Sequence, residues 1–149
     1  MIQKLMKTTD DFVVTLLRLV LGAVFFAHGA QKALGWFGGF GFRATLGFFT
    51  QQMHIPAPLA ALAIAAEFLG GIGLILGFLG RVAAFGIFCN MVVAVALVHR
   101  HFGLFANWDG SQKGEGFEYH ILAIAICLAI MIRGSGALSI DRSASRELA

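Results

Sequence analysis

Arg18, His28, Lys32, Glu67, Asn90, Glu118 and His120 lie inside, or at the ends of, the longest apolar runs of this sequence. An ionised side chain near the centre of a bilayer costs about 2.5–3.5 kcal/mol on insertion scales, so a short chain does not carry such groups idly. A carboxylic acid held among hydrocarbon can bind the polar head of a ligand or exchange a proton with it. Glu67 is therefore the leading candidate for ligand binding or proton exchange. It sits in A-A-E-F-L-G-G-I-G, where Ala65, Ala66, Gly70, Gly71 and Gly73 would let another helix approach closely. At helical spacing Arg18, Gly22, Phe25 and Lys32 share one face, with His28 at its margin. Arg18 is then either part of the same polar pocket as Glu67, a structural ion pair with it that fixes helix register, or a side chain that snorkels to the nearer boundary.

Asn90 is expected level with Glu67, as a pocket member or as an interhelical hydrogen bond. His28 and His120 fall toward one end of the bundle and would line an exit for a ligand. Lys32 and Glu118 are secondary candidates, because polar residues at span ends are ordinary. Glu118 and His120 flank Tyr119, so one helix face holds only one of them comfortably. Two histidines in a four-helix bundle also suggest a bis-histidine haem, but no spacing requires it. His99-Arg100-His101 has no assignable third ligand, and Cys89 and Cys127 lie in apolar runs without C-x-x-C spacing, so no metal site is assigned. No residue is given a catalytic role.

These side chains need elements long enough to hold them at depth. A helix requires about 20 apolar residues to cross the hydrocarbon core. Four runs qualify, at about 12–34, 57–79, 82–98 and 116–133. The last has a short apolar heart, so Gly116–His120 must supply its outer turn. Arg81 separates the second and third runs so closely that they must form an antiparallel hairpin. The link from Gly35 to Pro56 is Gly-rich yet aromatic, which suits an interfacial or re-entrant segment. Asn107, Asp109, Gly110 and Ser111 mark turns in the link from His99 to Glu115. Residues 134–149 form a polar tail. The whole chain reads as one all-α membrane domain, a four-helix bundle.

Composition agrees. Of 149 residues, 58% are apolar and 13% charged, against 45–50% and ~25% in ordinary soluble domains. Mean hydropathy is +0.83. These values exclude a disordered chain or a nucleic-acid module and argue against a soluble enzyme. The net charge of +3 is a matter of topology. With both termini cytoplasmic, Lys4, Lys7, Arg81, Arg133, Arg142 and Arg146 lie inside. Lys32, Arg43, Arg100 and Lys113 then lie outside, which favours N-in/C-in. A cleaved signal peptide is the rival for the first run, but Phe12–Ala27 has no clean small-x-small exit.

Several segments, taken in order, resemble the DoxX family of small membrane proteins. They are R-L-V-L-G-x-x-F-F-A-H-G-x-Q-K at Arg18–Lys32, P-x-P-L-A at Pro56–Ala60, E-F-L-G-G-I-G-L-I-L-G-F-L-G-R at Glu67–Arg81 and G-A-L-S-I-D-R at Gly136–Arg142. The resemblance implies four helices in the bacterial cytoplasmic (inner) membrane, with Arg18, Gly29, Lys32, Glu67 and Arg81 at matching positions. It also implies a link to subunits of a thiosulfate:quinone oxidoreductase and to catechol, quinone or oxidative-stress chemistry. No flavin, haem or iron–sulfur motif is recognisable, so the chain is expected to hold no covalent cofactor and to act as a subunit rather than alone. The expected ligand is a quinone or lipid-like molecule, bound beside Glu67. The expected partners are membrane lipid, a redox protein and a second copy through the Gly73/Gly77 face, with no nucleic acid. The alternative is a non-catalytic scaffold or assembly factor, in which the same polar groups are glue. A transporter is a weaker reading, because no inverted repeat is visible.

Overall fold

The computed structural model describes residues 2–147; Met1, Leu148 and Ala149, and so the end of the polar tail, lie outside them, as does the side chain of Lys4, one of the basic residues expected inside. Every regular element among the described residues is helical: α1 (Ile2–Met6), α2 (Phe12–Leu34), α3 (Gly41–Gly47), α4 (Ala57–Leu76), α5 (Gly80–Leu97), α6 (Glu118–Arg133) and α7 (Ile140–Glu147). A π-turn, Phe48–Gln52, continues α3, and a 3₁₀ turn, His99–Phe102, follows α5.

Local chemistry sets the ends of these helices. Asp11 caps α2 by accepting from the N–H groups of Val13 and Val14, at 2.9 and 3.3 Å. Gly35, in the left-handed conformation, stops it. The run expected over 57–79 ends earlier, at Leu76. Gly77 turns left-handed there, and Phe78 N–H reaches the Gly73 carbonyl at 2.9 Å. That is a Schellman end, and it leaves only Gly77–Leu79 to connect the hairpin. Consequently α5 starts at Gly80, before the expected Val82.

The long helices run up and down around one core, α2 against α4, α4 against α5, α5 against α6 and α6 back against α2. Leu21, Phe25, Leu74, Ile87, Met91, Cys127 and Ile130 fill the centre. The outer faces carry Leu16, Val20, Leu62, Leu69, Phe85, Leu122 and Ile132, all more than half exposed. Arg18, Glu67, His120 and Asp141 are buried instead. Charge inside and hydrocarbon outside is the pattern demanded by lipid, not by water. Helices α2, α4 and α5 are long and apolar enough to cross a membrane. The 16 residues of α6 reach about 24 Å. Its expected extra turn at Gly116 is not helical: Phe117 and Glu118 donate to the carbonyls of Gly103 and Leu104, at 3.1 and 2.8 Å.

Residues 134–147 do not trail away. Ser135 is fully buried and Asp141 is 1% exposed. The Asp141 carboxylate accepts from Leu79 N–H and Gly80 N–H, at 2.8 and 3.0 Å, and from the Ser135 hydroxyl at 2.5 Å. It thereby caps α5 from outside and holds Leu79 at φ 49°, a conformation that disfavours a β-carbon.

Candidate functional site

The small residues of α2 and α4 decide where the polar groups meet. A Cβ on Gly29 would overlap the backbone of Phe68 and Glu67, and one on Gly71 would overlap the backbone at Phe25–Phe26. The helices therefore touch backbone to backbone along this seam, and the contact sets their register. Lys32 lies one turn beyond Gly29, and its ammonium pairs with the Glu67 Oε2. The Glu67 partner is thus Lys32, which the sequence placed at the boundary, and not Arg18.

Arg18 belongs to the other end of the bundle. Its guanidinium donates to the carbonyl oxygens of Leu74, Ile75 (2.9 Å), Ser135 (2.8 Å) and Leu138 (2.6 Å). The first two are terminal acceptors of α4, so Arg18 acts as that helix's C-cap. It neither snorkels nor joins Glu67. The Gly73/Gly77 pair, expected as a face for a second copy, is also occupied. Gly77 lies under Ser139, and Gly73 lies beside Phe78 and Ala83.

Glu67, Lys32, His28, Asn90 and His120 all line one cavity of about 530 Å³, at the end where α2 finishes and α4 begins. Phe25, Met91, Val93, Ala94, Leu97 and Tyr119 give it apolar walls, and Phe48, Phe49, Met53 and Ile55 from the π-turn region lie across it. Asn90 donates through Nδ2 to the Ala63 carbonyl at 2.7 Å, joining α5 to α4 one turn from Glu67. The ring of His120 lies 4.0 Å from that of His99, centroid to centroid. His99 in turn is tethered through Nδ1 to the Glu115 carbonyl at 2.8 Å. The exposed ring of His28 lies 6.4 Å from Tyr119.

Glu118 and His120 divide as their flanking of Tyr119 requires. His120 turns inward, while Glu118 accepts from Ala106 N–H at 3.0 Å and Trp108 Nε1 at 2.7 Å. Glu118 thus folds the 103–117 loop over the cavity end without lining the cavity. The sequence reading left out His99, taken as a solvated end, and Tyr119, the chain's one tyrosine. It also left out the aromatic wall Phe48–Phe49, whose signal was an aromatic link too apolar for water. The site can do three things chemically: bury a flat apolar body, present an ion-paired carboxylate, and offer imidazole and amide groups to polar atoms of a ligand.

Residues 13–100 match the family model DoxX, and residues 59–149 match the one described as TQO small subunit DoxD. The chain is 28% identical over 146 residues to the inner membrane protein YqjF of Escherichia coli (strain K12), an alignment covering 95% of this chain and 99% of that protein. No solved structure matches.

Proposed function

Since the chain belongs to the DoxX family, we propose that it is a multi-pass inner-membrane subunit that binds a quinone-class small molecule for a redox partner protein. One observation carries this reading. Ionic and polar groups from α2, α4, α5 and α6 converge on a single apolar cavity. Its volume lies within the ~300–1,000 Å³ of ordinary small-molecule sites. A ring entering from lipid would lie against Phe25, Tyr119 and Phe49, with its oxygens among Glu67, Asn90 and His120. The similarity to a TQO small subunit favours a quinone-linked partner, and YqjF, described as an inner membrane protein, favours the location. The chain orients N-in/C-in, with the cavity toward the outer leaflet. Its own residues bind and orient, and electron transfer belongs to the partner.

Purification from native membranes in mild detergent, followed by solvent extraction and mass spectrometry, tests the proposal. A stoichiometric quinone-class molecule is expected, and Glu67→Gln should lower its occupancy about tenfold while the bundle stays folded. Equal occupancy in the variant, or a stoichiometric protein partner with no ligand (the scaffold outcome), overturns it.

A further inference from the structure

Besides the Lys32 ammonium, the His28 ring and the Tyr119 hydroxyl, which can all donate, the cavity is lined by polar atoms of His120, Glu67 and Asn90 whose roles the structure restricts. His120 is 6% exposed, and its Nδ1 is buried with no hydrogen-bond partner among the described residues. An orphaned N–H is costlier than an orphaned lone pair. The neutral ring therefore carries its proton on Nε2, which has accessible surface and makes no protein hydrogen bond among the described residues. The α6 wall offers a donor.

The α4 and α5 walls offer acceptors. Helices α4 and α6 are diagonal in the bundle, since α2 and α5 each pack against both. On α4, Glu67 gives Oε2 to Lys32, and no described residue donates to Oε1. A carboxylate paired with an ammonium in this way accepts only. On α5, Asn90 must point its amide nitrogen at the Ala63 carbonyl, which leaves its Oδ1 as a second acceptor.

We propose that this polarity selects the ligand's redox state: the cavity takes a hydroxylated ring, a hydroquinone, in preference to the quinone. One hydroxyl oxygen accepts from His120 Nε2–H. The opposite O–H donates to Glu67 Oε1 or Asn90 Oδ1. An oxidised ring would set a carbonyl oxygen against those acceptors, and sites built to bond a hydroxyl discriminate strongly against partners that lack it. The inference rests on the binding reading above and goes further by fixing which form is bound.

Duroquinol and duroquinone, which have no isoprenoid tail, provide the probe. Each is titrated anaerobically by calorimetry into the full chain in lipid nanodiscs. Duroquinol should bind about tenfold tighter or more. In E67Q, whose amide can donate, the preference should fall toward parity. In His120→Phe both forms should weaken by a similar factor, leaving the ratio intact, and His120→Gln should recover part of the loss. Equal affinities in the wild type, or a preference for duroquinone as donation from Lys32 would give, overturn the inference and leave the binding reading standing. Binding of neither form overturns both. If E67Q does not fold, the wild-type ratio decides alone.

Discussion

Replacing Arg18 by Met would leave the carbonyls of Leu74, Ile75, Ser135 and Leu138 without their shared donor. Each stranded buried acceptor costs about 1–3 kcal/mol, so Arg18→Met should destabilise the bundle by about 3 kcal/mol or more. Arg18→Lys should recover part, because a single ammonium cannot span all four acceptors. Thermal unfolding in detergent measures both, and an unchanged midpoint in the Met variant rules out the capping role. That Arg18 and Glu67 are special was legible from charge in hydrocarbon. Their separation was not. A sequence gives depth along one helix but not the register against its neighbour, and the deciding contact, Gly29 on the Glu67–Phe68 backbone, carries no polar signature. Lys32 was underrated for the same reason. A lysine near a helix end reads as boundary charge until the crossing brings a carboxylate to it.

At the scale of elements, the seam between α2 and α4 is the device that assembles the cavity. Gly29→Ala would push a methyl into the Phe68 backbone, which cannot move as a side chain would. Overpacking of this kind costs about 1–3 kcal/mol. It should also part Lys32 from Glu67, lowering thermal stability and ligand affinity together. Gly47→Ala, with nothing near its Cβ, is the matched control and should be neutral or slightly stabilising in its helix. If the two variants melt alike, the seam does not set the register. The long helices were readable because apolar length is a property of composition alone. The docking of 134–147 was not, because Asp141 acts through a cap on α5 some sixty residues upstream. In a polar stretch, one buried aspartate looks like its exposed neighbours.

At the scale of the molecule, the two ends differ in chemistry, and that difference predicts their sides. One end gathers Arg81 on the Lys7 carbonyl, Arg133 near Asp11 and Arg142 on Asp10. The other carries Trp36, Phe37, Phe40, Phe105 and Trp108, each more than half exposed. Aromatic rings of this kind suit the headgroup boundary, while short basic loops favour the cytoplasm. The 16 residues of α6 fall short of the ~30 Å hydrocarbon core, so the 103–117 loop, which closes the aromatic end, is predicted to lie at the outer interface. A single cysteine tests this in intact cells, with Cys89 and Cys127 replaced by Ala. Ser111→Cys, in that exposed loop, should react with a membrane-impermeant maleimide added from outside. Ser143→Cys, exposed on α7, should react only after permeabilisation. The reverse pattern would turn the cavity toward the cytoplasm. Reaction of both from outside would place the two ends on one side and overturn the proposed arrangement of four alternating spans.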